Sequence, residues 1–399
     1  MGLVRGRVKP DFTPIVASVF SLLCILESAP VEVNDGTSTR HCFELLVGIS
    51  RRYCESEKIP TCAKKLRLRQ WMSPATARIS HMKKVAVTGG AGFIGSNLTK
   101  RLLSEGYEVN AVDDLSTGLL SNIDLETTSF HQVSITDSKG LTTALKDCET
   151  IFHLAARGSV PRSIKNPVAT HSVNATGTLN VLEIARESGA HVVFSSSSSV
   201  YGRNMQLPKD EYMWLGPMTP YAASKLAGEG YVQAYASAYN VPTTLLRFFN
   251  VFGPRQRPDH EYAAVLPKWI WLAMQGKPID VYGDGTASRD FTYVETVLDI
   301  AMTAMKEKVT TEGAVNLAYG NRIFLNDTID LLKRHFPDLK INYKENRLGD
   351  VKESQNAPGL LKTLFPAVTP KPFEDALTET VNWLKEFGQS VANGPKTVD

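Results

Sequence analysis

The chain has 399 residues, 44 Lys+Arg against 41 Asp+Glu for a formal net charge of +3, and a hydrophobic content of 43%. This composition excludes a disordered or fibrous chain, and so small a charge over this length gives no reason to expect nucleic acid as a partner. No apolar run approaches the ~20 residues needed to span a bilayer, so a membrane partner is not expected either.

The charge is unevenly placed. Residues 1–81 hold 12 Lys+Arg and 7 Asp+Glu, and they also hold four of the five cysteines, Cys24, Cys42, Cys54 and Cys62. The rest of the chain has 32 basic and 34 acidic residues, with Cys148 as its one cysteine. Residues 1–81 show no sustained helical or strand period. Their apolar run from Ile15 to Leu26, behind Arg5, Arg7 and Lys9, has the outline of a secretory signal. The cleavage side is poor, however, with Glu27 at −3 and Pro30 after Ala29, and the acidic residues argue against an organellar transit peptide. The expectation is an extension outside the main fold, unstructured or spuriously translated, with a targeting segment or a small ordered appendage as alternatives. Its cysteines lack CxxC or Cys/His spacing, so no metal site is expected. Met82 could be a natural start.

From Lys83 the pattern becomes regular. Lys83–Thr88 reads as a buried strand, followed by Gly89-Gly90-Ala91-Gly92-Phe93-Ile94-Gly95 and a helix over Ser96–Glu105. A second strand, Glu108–Val112, ends in Asp113-Asp114, 24 positions after Gly89. Glycines allow the tight turn and let a pyrophosphate approach main-chain amides at the positive end of the helix. Asp113 can accept hydrogen bonds from the ribose hydroxyls and would repel a 2′-phosphate, which favours NAD over NADP. Further strands are predicted over Phe130–Ile135, Thr150–Leu154, His191–Phe194 and Thr243–Phe248. Helices are predicted over Lys139–Lys146, Val168–Ser188 and Thr219–Tyr239. Strands alternating with helices predict an α/β fold: a Rossmann-type, doubly wound parallel sheet. No internal repeat is visible.

Tyr221-Ala222-Ala223-Ser224-Lys225 opens the last of these helices, and a spacing of four places Tyr221 and Lys225 on one face. An ammonium beside the phenol lowers its pKa from ~10, which makes a general base for a hydroxyl proton. An isolated pair of this kind is commonly a surface contact. Here five serines, Ser195–Ser199, follow an apolar strand and lead into Val200-Tyr201-Gly202, at the strand end where such sheets bind ligands.

The glycine turn, Asp113-Asp114-Leu115-Ser116-Thr117-Gly118, His153-Leu154-Ala155-Ala156, the serine run and the Tyr221/Lys225 pair stand in the order seen in extended short-chain dehydrogenases/reductases. The chain over residues 82–390 resembles the NAD-dependent nucleotide-sugar epimerase/dehydratase branch, and within it UDP-N-acetylglucosamine and UDP-glucose 4-epimerases. The resemblance implies a cofactor domain over 82–250 and a smaller C-terminal α/β subdomain, mainly over 251–390, for the nucleotide-sugar, with some elements returning to the sheet. It makes Tyr221 the base, Lys225 its electrostatic partner and nicotinamide-ribose contact, and Ser197 the catalytic hydroxyl, with Ser196 and Ser198 as near alternatives. NAD contacts fall on Gly89, Gly92, Phe93, Ile94, Gly95, Asp113, Leu154, Ala155 and Asn174. Ser134-Ile135 stand where the family often has Asp-Ile against the adenine.

The same resemblance places the diphosphate at Asn250 and Arg289, the uracil at Val265 and Pro267, and a nucleotide contact at Tyr282. Arg347 and Asp350 close over phosphate and ribose. Gly158-Ser159, opening a segment that continues Val160-Pro161-Arg162-Ser163, resemble the corresponding stretch of enzymes acting on UDP-N-acetylhexosamines. With Ser197, Ser198 would face the sugar. Ser354, seven after Arg347, is a small residue at the family's size gate and leaves room for an N-acetyl group.

The implied reaction is C4 epimerisation of UDP-GlcNAc/UDP-GalNAc through a 4-keto sugar, in the cytoplasm, by a homodimer built on a four-helix bundle. A UDP-glucuronate epimerase or decarboxylase and a UDP-glucose 4-epimerase are the alternatives. A 4,6-dehydratase would carry an Asp-Glu pair where Ser198-Ser199 stand. A non-catalytic sensor is disfavoured by the intact Ser197/Tyr221/Lys225 set.

Overall fold

A computed structural model describes residues 83–259, 263–345 and 353–393. The extension over 1–81 lies outside them. The elements are, in chain order, β1 (Lys84–Thr88), α1 (Phe93–Ser104), β2 (Glu108–Val112), β3 (Ser129–His131), α2 (Ser138–Ala144), β4 (Thr150–His153), α3 (Val160–Lys165), α4 (Pro167–His171), α5 (Gly177–Ser188), β5 (His191–Ser197), α6 (Pro220–Tyr239) and β6 (Thr243–Phe248). The second half holds β7 (Val251–Phe252), α7 (Val265–Met274), β8 (Ile279–Tyr282), β9 (Ser288–Arg289), β10 (Thr292–Tyr293), α8 (Val294–Lys306), β11 (Ala314–Leu317), β12 (Ile323–Phe324), α9 (Leu325–His335), β13 (Ile341–Lys344), α10 (Gly359–Leu364) and α11 (Phe373–Asn393).

Seven strands form one parallel sheet in the order β11-β6-β5-β4-β1-β2-β3. The chain winds outward from β1 to β3, then returns and winds the other way from β4. The crevice at the carboxyl ends of β1 and β4 is therefore the switch point where such sheets bind dinucleotides. The central strands are apolar along most of their length because helices cover both faces. Val85, Val87, Phe152 and Val193 are buried together with Leu98 and Leu102 of α1 on one side, and Ala86, Ile151, Val192 and Phe194 with Val181 and Leu182 of α5 on the other.

The helix predicted from Ser96 begins at Phe93 and that predicted over Lys139–Lys146 spans Ser138–Ala144, and three further departures from the predicted bounds have a physical reason. The strand predicted to stop at Phe194 continues to Ser197, because the serine side chains find partners on neighbouring elements. The strand predicted over Phe130–Ile135 stops at His131, and Ile135 instead buries its side chain beyond the strand against Gly177, where a Cβ would lie 2.6 Å from Ile135 Cδ1. The long helix predicted over Val168–Ser188 contains one π turn, Ser172–Thr176, with Asn174 inside it. Such wide turns recur at functional sites.

The second half is built on short pairs: β7 with β10, β9 with β12, and β8 with β13. Trp269 and Ile270 of α7, Ile279 and Val281 of β8, Ile329 and Leu332 of α9, and Leu377 and Leu384 of α11 form its buried cluster. Two elements return to the large sheet: β11 pairs with β6, and α8 packs against α1 and β5.

Candidate active site

The glycine turn fits a dinucleotide. Gly89 has φ +73, and a Cβ there would lie 2.8 Å from the Ala155 amide nitrogen. A Cβ on Gly95 would lie 2.0 Å from the Gly89 carbonyl oxygen. Glycine is thus required at both places for the turn to sit this close to Leu154-Ala155. Gly92 caps α1 with no side-chain hydrogen bond, and no acidic residue stands in the first turn of Phe93, Ile94 and Gly95. That leaves the positive helix end free to receive an anion.

Asp113 closes the turn at the end of β2. Its carboxylate accepts from the Ala91 amide at 3.0 Å and the Leu115 amide at 2.8 Å. Burial raises its pKa, and these amides act the other way. Arg255 ties the far wall to this loop by donating to the carbonyls of Ser96 and Asn122, at 3.3 and 2.9 Å. Ser134 lies in the loop after β3, with its hydroxyl 2.9 Å from that of Thr136.

At the end of β4, the Leu154 amide donates to the Thr88 carbonyl at 3.1 Å and the Ala155 amide to the Thr88 hydroxyl at 3.2 Å. His153 stands between the Thr88 and Thr178 hydroxyls at 2.8 and 3.0 Å. Burial, with the Lys225 ammonium adding to it, pulls its pKa down to about 3, so it is a neutral spacer. Asn174 clamps the loop beyond. Its amide accepts from the Arg157 nitrogen at 2.7 Å and donates to the Ser224 hydroxyl at 2.9 Å, which links the loop to α6. Gly158 has open space around it, and Ser159, at φ +122, caps α3 by accepting from the Arg162 amide.

The predicted base, its partner and its hydroxyl come together where α6 crosses the end of β5. Thr219 caps α6 and Pro220 opens it, so the helix starts one residue before Tyr221. Tyr221 is hydrogen-bonded to Ser197. The Lys225 ammonium is buried and donates to the Ser195 carbonyl at 2.7 Å. Burial lowers its pKa to about 8, with Glu229 acting upward. One expectation needs correction. The Tyr221 phenol lies above its ordinary pKa because burial dominates, and the opposing influence is the Ser197 hydrogen bond rather than the Lys225 ammonium. The serine alternatives also separate: Ser196 is buried and donates to Glu229 at 2.5 Å, which leaves Ser197 as the hydroxyl against Tyr221, while Ser198 opens the short turn Ser198–Tyr201.

On the other side of the crevice, Asn250, at φ +35 just past β6, donates from its amide to the Asp290 carbonyl at 3.1 Å and the Ser354 hydroxyl at 3.3 Å. The predicted diphosphate holder and the predicted size gate are thus in contact. The Ser354 amide donates to the Ser288 carbonyl at 3.1 Å, beside Arg289 on β9. Val265 and Pro267 lie in the first turn of α7, and Tyr282 ends β8. Arg347 and Asp350 lie outside the described residues.

Sequence reasoning missed three groups. Glu229 follows Lys225 by four on the same helix, and Arg247 is a lone charge inside an apolar strand; together they form a bidentate pair at 2.9 and 2.7 Å, with both side chains at most 4% exposed. Asp290 is fully buried and accepts three amides, from Gly320, Asn321 and Asn356. For Arg247 the signal in sequence was a charged residue within an apolar strand; Asp290, beside Arg289, left none.

A parallel nucleotide fold carrying Ser197, Tyr221 and Lys225 at the strand end beside its switch point defines the extended short-chain dehydrogenase/reductase class. The sequence model described as NAD dependent epimerase/dehydratase family matches residues 85–318, and the chain belongs to that family. It is 36% identical over 253 residues to a putative UDP-glucose 4-epimerase of Methanocaldococcus jannaschii, covering 62% of this chain and 81% of that protein. Among solved structures it resembles the UDP-N-acetylglucosamine 4-epimerase of Methanobrevibacter ruminantium in complex with UDP-N-acetylmuramic acid, at 34% identity and TM-score 0.72, covering 76% of this chain and 99% of that one. It also resembles the UDP-glucuronic acid 4-epimerase of Bacillus cereus in complex with UDP-glucuronic acid and NAD, at 28% identity and TM-score 0.70, covering 76% and 99%. The chain is an NAD-dependent enzyme of the epimerase kind within this family.

Proposed function

We propose that the substrate pair is UDP-GlcNAc/UDP-GalNAc. The observation that carries this reading is the hydroxymethyl-sized Ser354 held against Asn250, which leaves the gate small. Residues 82–250 would hold NAD and 251–390 mainly the UDP-sugar. NAD supplies the acceptor and donor for the C4 hydride. Tyr221 takes the proton of the 4-hydroxyl, and Ser197, already hydrogen-bonded to it, stands between phenol and sugar oxygen as the proton's path. Lys225 keeps a positive charge beside this centre. Asn250 and Arg289 hold the diphosphate, while the sugar, less firmly held, turns its other face. Epimerisation needs this division, because the 4-keto sugar must rotate about a fixed tether before hydride returns.

The glycine cradle of Gly89, Gly92 and Gly95 with Phe93 and Ile94, the carboxylate of Asp113, and Ser134, Ile135, Leu154, Ala155 and Asn174 would hold the cofactor. Arg347 and Asp350 would close over the nucleotide beside Val265, Pro267 and Tyr282. Gly158, Ser159 and Ser198 would line the sugar. A cytoplasmic homodimer completes the proposal. The exposed apolar side chains Val168 on α4 and Tyr231 on α6, with exposed Ala223 and Ala234 on α6, support pairing through the helical stretch from Val168 to Ser188 and α6, and a monomer by light scattering would rule that out. No helix among the described residues is long and apolar enough to cross a membrane.

Likeness to the glucuronic acid enzyme supports a second reading, a hexuronate substrate. Product analysis with UDP-GlcNAc, UDP-glucose and UDP-glucuronate in parallel decides between them. Preference for UDP-GlcNAc is the expected result. Preference for UDP-glucuronate, with or without carbon dioxide release, would replace the first reading.

A further inference from the structure

The stripe Tyr221, Lys225, Glu229 on α6 meets the serine run at three successive residues. Tyr221 is bonded to Ser197, Lys225 to the Ser195 carbonyl, and Glu229 to the Ser196 hydroxyl. Helix and strand approach closely just beside this seam, since a Cβ on Gly228 would stand 2.8 Å from the Phe194 ring. Glu229 is in turn gripped by both donors of the Arg247 fork. Arg247 donates a third time, to the Tyr201 hydroxyl at 2.9 Å, and that hydroxyl donates to Asn316 at 2.8 Å. Asn316 donates to Asn356 at 2.9 Å, two residues beyond Ser354. The side chains of Ser196, Lys225, Glu229, Arg247, Tyr201, Asn316 and Asn356 are all buried.

A buried ion pair is weak evidence for stability, because desolvation offsets most of the attraction, and apolar groups of the same volume often hold a fold equally well. What the pair supplies that apolar groups do not is direction. A bidentate fork fixes the carboxylate in a plane, and the remaining acceptor capacity of Glu229 fixes one hydroxyl of β5. That hydroxyl belongs to the residue directly before Ser197.

We propose that Glu229 and Arg247 are positioning residues for the epimerase reaction: by locking Ser196 they set the seat of Ser197 and of the Ser195 carbonyl against Tyr221 and Lys225. The inference rests on the reading of the chain as a UDP-sugar epimerase. It assigns neither residue a contact with substrate or cofactor.

The test is the neutral double variant Glu229→Gln/Arg247→Met, in the full chain with NAD bound, assayed on whichever UDP-sugar the wild type turns over. The expected variant melts within a few degrees of wild type, keeps its NAD stoichiometry and its KM within about twofold, and loses on the order of tenfold to a hundredfold in kcat, the scale of a small misplacement of reacting groups. Ser196→Ala, which leaves both charges in place, is the second arm and should lower kcat several-fold at unchanged KM, even if the double variant does not fold. An unaltered kcat in the folded double variant or in Ser196→Ala would overturn the positioning role. So would a rise in KM at constant kcat, which would mark a substrate-binding effect. A wild-type chain that turns over no UDP-sugar would overturn the epimerase reading and the positioning together, whereas wild-type turnover matched by both variants would overturn the positioning alone.

Discussion

The two walls of the crevice are built differently. The catalytic wall stands on the ends of strands buried for most of their length, and five side chains at its seam have named partners: Ser195, Ser196, Ser197, Lys225 and Glu229 are all engaged. The opposite wall hangs on two-residue strands and on one buried carboxylate, Asp290, which gathers amides from two separate segments. Hydride chemistry punishes small displacements at C4, whereas a sugar that must turn over needs a wall that grips its diphosphate and little else. The contrast in construction follows that division of labour.

Four substitutions would break or sharpen this contrast. The largest effect belongs to Tyr221→Phe, which should lower turnover by roughly a hundredfold to ten-thousandfold while NAD stays bound, as checked by steady-state assay and by the cofactor released on denaturation. Full activity in this variant would remove the base from the catalytic wall. Gly95→Ala comes next. Its methyl group would lie 2.0 Å from the Gly89 carbonyl, so the turn must shift, costing about 1–3 kcal/mol in thermal or urea unfolding and releasing NAD. Unchanged NAD affinity would show that the turn is looser than its contacts imply.

Asp290→Asn probes the opposite wall. One carboxylate oxygen becomes an amide that faces another donor, so about 1–3 kcal/mol of stability should be lost at low pH. The pH dependence has a definite sign. Burial raises the Asp290 pKa to about 6, above its ordinary value of 3.8. The folded state therefore holds the proton more tightly than the unfolded state, and stability from this group is present below about pH 4 and lost as pH rises to about 6. Asparagine has no such transition, so the gap between wild type and variant should narrow as pH rises through that window in denaturant titrations. A constant gap would show that Asp290 keeps its charge throughout. The smallest effect is expected at the gate. Ser354→Tyr should shift the ratio of kcat/KM from UDP-GlcNAc toward UDP-glucose by roughly tenfold, with little change in melting temperature.

Much of the catalytic wall was readable because its signals are local. The glycine turn, Asp113 and the four-residue spacing of Tyr221 and Lys225 each lie within one strand-turn-helix unit. Strands β2 and β6 fall on their predicted residues for the same reason: each is a short apolar run between turn signals. The sequence predicts the strand bearing Ser197 too short because serine reads as loop, and what keeps those residues in the sheet is contributed by β4 and α6, remote in sequence. The π turn around Asn174 left no mark in the hydrophobic period. The staple at Asp290 joins segments 30 and 66 residues apart, and no spacing within one element encodes it.

Ser195 through Ser199 are five copies of one letter that hold different places in three dimensions. Deleting any one of them yields the same shortened chain, so genetics cannot choose which station is lost. The fold must choose. Closed within the turn Ser198–Tyr201, the gap leaves serines at 195, 196 and 197 beside their partners on α6 and shortens only the turn; closed ahead of Ser195, it carries every hydroxyl one place along and off those partners. Because the letters are identical, the shortened chain can shift its register instead of losing one fixed side chain. A stretch that resembles low-complexity filler therefore carries its own answer to a change of length, with the turn as the place that yields.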